Sequence, residues 1–128
     1  MFQSIVMRGR AMKPLLIAAI LWAATPVQAA MELVMIERDG CIWCARWNEE
    51  IAPIYPKTEE AAAAPLRRIA LDAPLPDDVT LARPALFTPT FVLLVDGQEA
   101  SRIEGYPGAD FFWALLGQMI AESTPAQD

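Results

Sequence analysis

The order of apolar and polar residues predicts that a buried strand leads through a polar turn into a helix. An apolar run with β-branched members predicts a strand over residues 32–36, covered on both faces. The polar residues 37–40 predict the turn. Apolar residues then recur at intervals of three, four and three, the spacing of one helix face. They are Cys44, Trp47, Ile51 and Ile54.

The middle of the chain predicts a short helix, a second strand and a loop. Thr58 can cap a helix over residues 59–64, whose first turn is acidic. Residues 66–71 predict the strand. Residues 72–78 contain two prolines and predict a loop, whereas the pattern over residues 79–87 indicates no single structure.

The last part predicts a strand hairpin and a helix. Residues 90–95 are strongly apolar, Asp96–Gly97 is a tight-turn pair, and residues 98–104 pair back as the next strand. The helix covers residues 110–121. Its apolar stripe is Phe112, Leu115, Leu116, Met119 and Ile120. A βαβ unit followed by a ββα unit predicts an α/β fold, with a central mixed β-sheet flanked by helices.

The first 29 residues have the pattern of a secretory signal peptide. Arg8, Arg10 and Lys13 precede a short apolar run over residues 14–24, and small residues follow up to Ala29. The run is shorter than the roughly 20 residues that span a bilayer. We therefore expect cleavage after Ala29, a single domain over residues 30–128, and export to the periplasm.

Charge narrows the classes of partner. The chain has 10 basic and 16 acidic residues, and removal of the signal peptide leaves a net charge of −9. Nucleic acids and anionic membranes are bound by clustered Lys and Arg, so both are disfavoured as partners. Export would also place the cysteines where disulfides persist.

The only two cysteines, Cys41 and Cys44, are separated by two residues. Zinc needs about four ligands, usually Cys and His. Since the chain has no histidine and no third cysteine, zinc would require carboxylates or a second subunit. Attachment of a c-type haem is excluded because Ala45 stands where histidine is required. A structural disulfide would stabilise weakly, because its loop is so short. The remaining interpretation is a thiol–disulfide redox pair.

Redox chemistry follows from the predicted position of the pair at the start of a helix. Unpaired N–H groups and the helix dipole at that end favour a thiolate at Cys41. Cys44, one turn further on, would lie beneath it. We therefore predict that Cys41 attacks a partner's disulfide and that Cys44 resolves the resulting mixed disulfide.

The segment 40–44, together with Thr88–Pro89 before a strand, resembles the thioredoxin fold. The resemblance covers nearly all of residues 30–128. It implies that Pro89 is cis and faces the cysteines, and that the backbone of Thr88 pairs with an extended substrate segment. It implies no metal and no cofactor beyond the redox-active disulfide of Cys41 and Cys44.

A narrower resemblance rests on the segments 41–51, 54–58, 65–68 and 104–108, which are similar to periplasmic thioredoxins encoded with bacterial sulfur-oxidation clusters, the SoxS type. It implies a protein reductant, which we expect to be a monomer. The implied partners are a protein disulfide, such as that of a sulfur-carrier protein, and a membrane thiol electron donor. Two alternatives stay open: a disulfide oxidant, and a non-catalytic binding module of the same fold.

Three further side chains have two interpretations each. Trp43 lies between the cysteines and either contacts the partner or covers the disulfide. Arg46 either stabilises the thiolate or pairs with Glu50 at i+4. The acid that thioredoxins bury before their cysteines falls near Met35 here, so Glu37 is either a substitute base or a solvated charge.

Overall fold

A computed structural model describes residues 29–126, together with Gly9 and Thr25. The predicted signal peptide lies almost wholly outside these residues and stays a prediction. Within the described part of the chain, no helix is long and apolar enough to cross a membrane. The elements in chain order are β1 (Met31–Glu37), α1 (Ile42–Glu50), a 3-10 helix (Tyr55–Lys57), α2 (Glu59–Ala63), β2 (Leu66–Ala70), β3 (Thr90–Val95), β4 (Gln98–Glu104) and α3 (Ala109–Ser123).

The four strands form one mixed sheet in the order β2-β1-β3-β4. β1 runs parallel to β2 and antiparallel to β3, and β3 pairs antiparallel with β4. The β3–β4 hairpin turns at Asp96 and Gly97, whose φ angles are 51° and 78°. Positive φ at both central residues suits the twist of paired strands, which is why an Asp-Gly pair stands here. The predicted α/β fold with a central mixed sheet is confirmed.

Each face of the sheet has its own apolar core, because strand side chains alternate between faces. Leu33 and Met35 face the helices, while Val34 and Ile36 face the opposite side. The helix side is the larger core and contains most of the aromatic rings. Segment 71–85 contributes Leu71, Val79, Leu81 and Ala85 to the smaller core.

Two residues of the predicted stripes are more exposed than expected. Ile54 is 46% exposed, because α1 ends at Glu50 and helical spacing no longer applies beyond it. Leu115 is 38% exposed and lies at the edge of the face by which α3 is buried. Trp47 in the first stripe and Phe112 in the second are fully buried as predicted.

The segment over residues 79–87, whose pattern was ambiguous, contains neither helix nor extended strand. Thr80 forms an isolated parallel bridge with Gln98. The Thr80 N–H donates to the Gly97 carbonyl at 2.8 Å, and the Glu99 N–H donates to the Thr80 carbonyl at 2.9 Å. The segment is therefore attached to the start of β4 before it continues to Thr88 and Pro89.

Candidate active site

Cys41 and Cys44 lie at the start of α1, just after the turn that follows β1. Gly40 has a φ of 74°, which an L side chain rarely adopts, so glycine suits the turn into the helix. Cys41 is the N-cap of α1, and its Sγ accepts a hydrogen bond from the Cys44 N–H at 3.2 Å. The two cysteines form a disulfide with their Cα atoms 5.2 Å apart. A sulfur atom therefore occupies the position at which a helix offers unpaired N–H groups.

The two sulfur-bearing residues differ in burial. Cys44 is 4% exposed and belongs to the core cluster with Trp47, whereas Cys41 is half-buried. The first turn of α1 contains no acidic residue that would oppose a negative charge on Cys41. The arrangement provides one cysteine that an external disulfide can reach and a second one behind it.

A polar groove runs along one side of this pair. Its walls are the β1–α1 turn, one side of α1, and the end of β2 with the loop that follows. The lining residues are Glu37, Arg38, Asp39, Gly40, Cys41, Cys44, Ala45, Asn48, Arg68, Ala70, Leu71 and Asp72. Both cysteines therefore border a cleft that contains charges of both signs.

Arg68 is the most firmly held charge in this groove. Its Nη1 donates to Glu37 Oε2 at 2.7 Å, and its Nη2 donates to Asn48 Oδ1 at 2.8 Å. The guanidinium also lies 5.5 Å from the ring centroid of Trp47. Glu37 is therefore an ion-pair partner rather than a free solvated charge, and a role for it as a base stays a prediction. No pattern in the sequence identified Arg68 or Asn48 as groove residues.

A chain of polar contacts lies on another side of the pair and begins at Trp43, which is 49% exposed. The Arg46 guanidinium lies over the Trp43 ring, 5.7 Å from its centroid, and Arg46 Nε donates to Glu50 Oε1 at 3.0 Å. The Tyr106 hydroxyl donates to Glu50 Oε2 at 2.5 Å. The predicted pairing of Arg46 with Glu50 is confirmed.

These polar contacts shift the pKa values of Glu50 and Tyr106. The hydrogen bond from Tyr106, followed by that from Arg46, lowers the pKa of the Glu50 carboxyl. Burial, with the hydrogen bond to Glu50, raises the pKa of Tyr106 to about 12. Glu50 therefore stays ionised and Tyr106 stays protonated at neutral pH, so that both ends of their hydrogen bond are kept.

Thr88 and Pro89 lie at the same end of the sheet as Cys41. Thr90 at the start of β3 is in register with Ile36 near the end of β1, so the residues before β3 lie beside the β1–α1 turn. The Thr88–Pro89 peptide bond is cis, as the resemblance implies. Pro89 is buried, and its carbonyl accepts from the Gly105 N–H at 2.7 Å. Within residues 29–126 the backbone N–H and carbonyl of Thr88 form no hydrogen bond.

A disulfide between cysteines spaced C-x-x-C, at the amino end of the helix that follows a central strand, defines a thiol–disulfide oxidoreductase of the thioredoxin fold. The crystal structure of the periplasmic thioredoxin SoxS from Paracoccus pantotrophus, in its reduced form, is 52% identical to this chain. The match covers 73% of this chain and 98% of that one, with a TM-score of 0.71. The chain therefore belongs to the thioredoxin family, among the SoxS-type thioredoxins.

Other comparisons add little. A thioredoxin from Malassezia sympodialis, Mala s 13, is 15% identical over 71% of this chain and 76% of that one, with a TM-score of 0.48. No protein-family model and no curated protein sequence matches the chain. No group of three or more His, Cys, Asp or Glu residues in the described ranges could hold a metal ion.

Proposed function

We propose that the chain is a periplasmic reductase of protein disulfides and mixed disulfides. Residues 1–29 direct export, and residues 30–128 form the reductase domain. The observation that carries the proposal is the unequal burial of the pair at the α1 N-terminus, with Cys41 accessible and Cys44 4% exposed. The description of the Paracoccus relative as a periplasmic thioredoxin supports both the location and the chemistry.

The reaction exchanges one disulfide for another. The Cys41 thiolate attacks one sulfur of the partner's disulfide, and the other partner sulfur leaves with the bonding electrons and takes up a proton. Cys44, as a thiolate, then attacks the Cys41 sulfur of the mixed disulfide and releases the first partner sulfur. The partner gains two electrons and two protons, and Cys41 and Cys44 end as a disulfide. A membrane thiol electron donor reduces that disulfide again.

Three residues contact the partner in this proposal. The unpaired backbone groups of Thr88 accept and donate hydrogen bonds to an extended partner segment, while Pro89 shapes that site. Trp43, two residues after Cys41 and half exposed, covers the apolar residues that flank the partner's cysteine. The resemblance to SoxS-type thioredoxins points to sulfur-oxidation components, such as a sulfur-carrier protein, as partners of a monomeric reductase.

Turnover with insulin and dithiothreitol tests the roles of the two cysteines. We expect Cys41→Ser to abolish insulin reduction, because no nucleophile remains at the helix end. Cys44→Ser should also lose turnover but should accumulate a mixed disulfide through Cys41, visible on a non-reducing gel. Retained turnover in Cys41→Ser would refute the assignment.

The reduction potential decides between reductase and oxidant. A potential near that of thioredoxin, about −270 mV, supports the reductase, whereas one near about −120 mV indicates a disulfide oxidant. The potential is measured by equilibrating the wild-type protein with glutathione redox buffers and determining the oxidised fraction. A Cys44→Ser variant that stays permanently attached to one partner, with no turnover in the wild type, would instead indicate a binding module.

A further inference from the structure

We propose that Arg68 is a positioning residue for the resolving step, and that its fixed guanidinium favours the thiolate form of Cys44. The inference rests on the proposed roles of Cys41 and Cys44. Cys44 is 4% exposed, and burial disfavours the charged form of a thiol. A nearby group that favours negative charge therefore has to offset the free-energy cost of ionising the buried Cys44 thiol when it attacks.

Arg68 lies beside the helix face that carries Cys44. Asn48 follows Cys44 by four residues on α1, and residues so spaced have Cβ atoms about 5–6 Å apart on one face. Arg68 Nη2 lies 2.8 Å from Asn48 Oδ1, so the cation reaches α1 one turn beyond Cys44. Arg68 and Cys44 also line the same groove.

The hydrogen bonds determine which end of the guanidinium faces the helix. Glu37, at the end of β1, binds Nη1, while Nη2 is directed to α1. The carboxylate therefore fixes the cation from the side of the sheet. The Trp47 ring, with the guanidinium 5.5 Å from its centroid, restricts movement further. A cation held from three sides loses little freedom when a thiolate forms, so its attraction is not reduced by ordering costs.

Some other charges in the groove favour a thiolate at Cys44 and others oppose it. The β1–α1 turn contributes Glu37, Arg38 and Asp39, and the end of β2 with its following loop contributes Arg68 and Asp72. Both aspartates and the Glu37 carboxylate oppose a thiolate. Both arginines are exposed, but Arg68 is bound to Glu37 at the end of β1 and to Asn48 on α1. Arg68 is therefore the cation with a fixed place from which it can favour the buried thiolate.

The neighbouring Arg67 provides a matched control. It is also a β2 arginine in ion pairs, at 2.8 Å from Asp78 and 3.3 Å from Glu32, and its side chain is 29% exposed against 38% for Arg68. Successive strand residues point to opposite faces, so Arg67 lies away from the cysteines. Arg67→Gln removes the same charge from the same strand without touching the groove.

The resolving step can be observed separately by stopped flow with reduced protein and a chromogenic aryl disulfide, 5,5′-dithiobis(2-nitrobenzoate). Attack by Cys41 releases one thiolate of the reagent and forms a mixed disulfide. Attack by Cys44 on the Cys41 sulfur then breaks that bond and releases the second thiolate. The second phase thus reports Cys44, and its dependence on pH reports the fraction of Cys44 in the thiolate form.

We expect Arg68→Gln to slow the second phase roughly tenfold near pH 7 and to move its pH midpoint up by roughly one unit, as for the loss of a nearby opposite charge. The first phase should stay within about twofold of wild type. Arg68→Lys should restore part of the rate, since it keeps the charge but loses the planar fork that binds Glu37 and Asn48 through separate nitrogens. Arg67→Gln should leave both phases unchanged.

Several results would overturn the inference. They are a second phase that is unchanged in Arg68→Gln, equal slowing of both phases, or the same slowing in Arg67→Gln. If Arg68→Gln fails to fold, Asn48→Ala decides instead, because it releases Nη2 while the ion pair with Glu37 remains. It should slow the second phase about two- to threefold, and no slowing would count against the role. A wild-type protein that releases only one of the two thiolates of the reagent would refute the cysteine mechanism itself, which separates that failure from this one.

Discussion

Glu99 and Arg102 form a buried ion pair that attaches the segment before Thr88 and Pro89 to β4. Their side chains are 4% and 5% exposed, respectively. The Glu99 carboxylate accepts from the Ala82 N–H at 2.7 Å and from Arg102 Nη2 at 2.7 Å, and Arg102 Nη2 also donates to the Arg83 carbonyl at 2.7 Å. The pair therefore satisfies backbone groups of a segment that has no regular secondary structure.

Arg102→Met is the informative change, since methionine keeps an apolar stem but removes the guanidinium. Glu99 would then be a buried carboxylate without its ion-pair partner, with only the exposed Arg83 as a nearby cation, and a broken buried ion pair costs about 3–5 kcal/mol. A domain of this size is stable by only about 5–15 kcal/mol. We therefore expect the melting temperature to fall by roughly 12 °C or more, since each 1 kcal/mol corresponds to about 4–8 °C.

Urea denaturation of the oxidised protein, followed by circular dichroism, measures this loss. Glu99→Gln in the Arg102→Met background is the matched variant, because glutamine removes the charge but can still accept from the Ala82 N–H. The double variant should regain about 2 kcal/mol, since removal of both charges is far less costly than removal of one. A loss below about 1 kcal/mol for Arg102→Met would refute the reasoning.

The Glu99–Arg102 pair should also make stability depend on pH in the acid range. Burial tends to raise the pKa of Glu99, but hydrogen bonds from Arg102 and from the Ala82 N–H outweigh it, so that the pKa lies below its usual value of 4.5. A lowered carboxyl pKa contributes stability that is present above the usual value and is lost as pH falls through the folded-state value. The stability difference between wild type and Arg102→Met should therefore narrow below about pH 4.5. A difference that stays constant to pH 3 would contradict the assignment.

Two other predictions concern single groups. The Tyr55 hydroxyl donates to the Ala64 carbonyl at 2.6 Å inside the core, so Tyr55→Phe should cost about 1–2 kcal/mol in urea denaturation. Burial raises the pKa of Tyr55, so the folded state keeps a proton that the unfolded state loses at alkaline pH. The free energy of unfolding of the wild-type protein should therefore fall as pH rises past 10. An equal alkaline loss in Tyr55→Phe would contradict this. Gly97→Ala should lose more stability than Gly105→Ala. Both have positive φ, but a Cβ at Gly97 would collide with the Asp78 carbonyl oxygen, whereas nothing lies within 4 Å at Gly105; equal losses would count against the collision.

The sequence predicts the fold well where a pattern is local. The β1 and β3 runs are buried on both faces, and the Asp96–Gly97 turn depends on two adjacent residues, so both could be foreseen. The end of α1 could not, because it depends on how the chain turns into the 3-10 helix. Ile54 has helical spacing in the sequence but lies after the helix has ended. Periodicity indicates a face only as long as the helix continues.

The part of the site formed by residues close together in the sequence could be predicted. The spacing of Cys41 and Cys44, and their place after a strand, were sufficient to predict a redox pair at a helix end. Thr88 and Pro89 are more than forty residues away, and only the family resemblance brought them to the site. The structure puts them at the same end of the sheet through the register of β1 with β3. Their contact with a partner stays a proposal.

Arg68 shows why the remaining groove residues could not be foreseen. Strand side chains alternate, so one of the adjacent residues Arg67 and Arg68 had to face the helices. The apolar residues of β2 do not say which, because Leu66 packs in the helix-side core and Ile69 packs in the opposite one. Each face of this strand therefore has one arginine and one large apolar residue, so the alternation does not identify the face that is turned towards the helices. Only its pairing with β1, in which Arg68 stands opposite Met35 on the helix side, directs Arg68 to the groove beside Cys44.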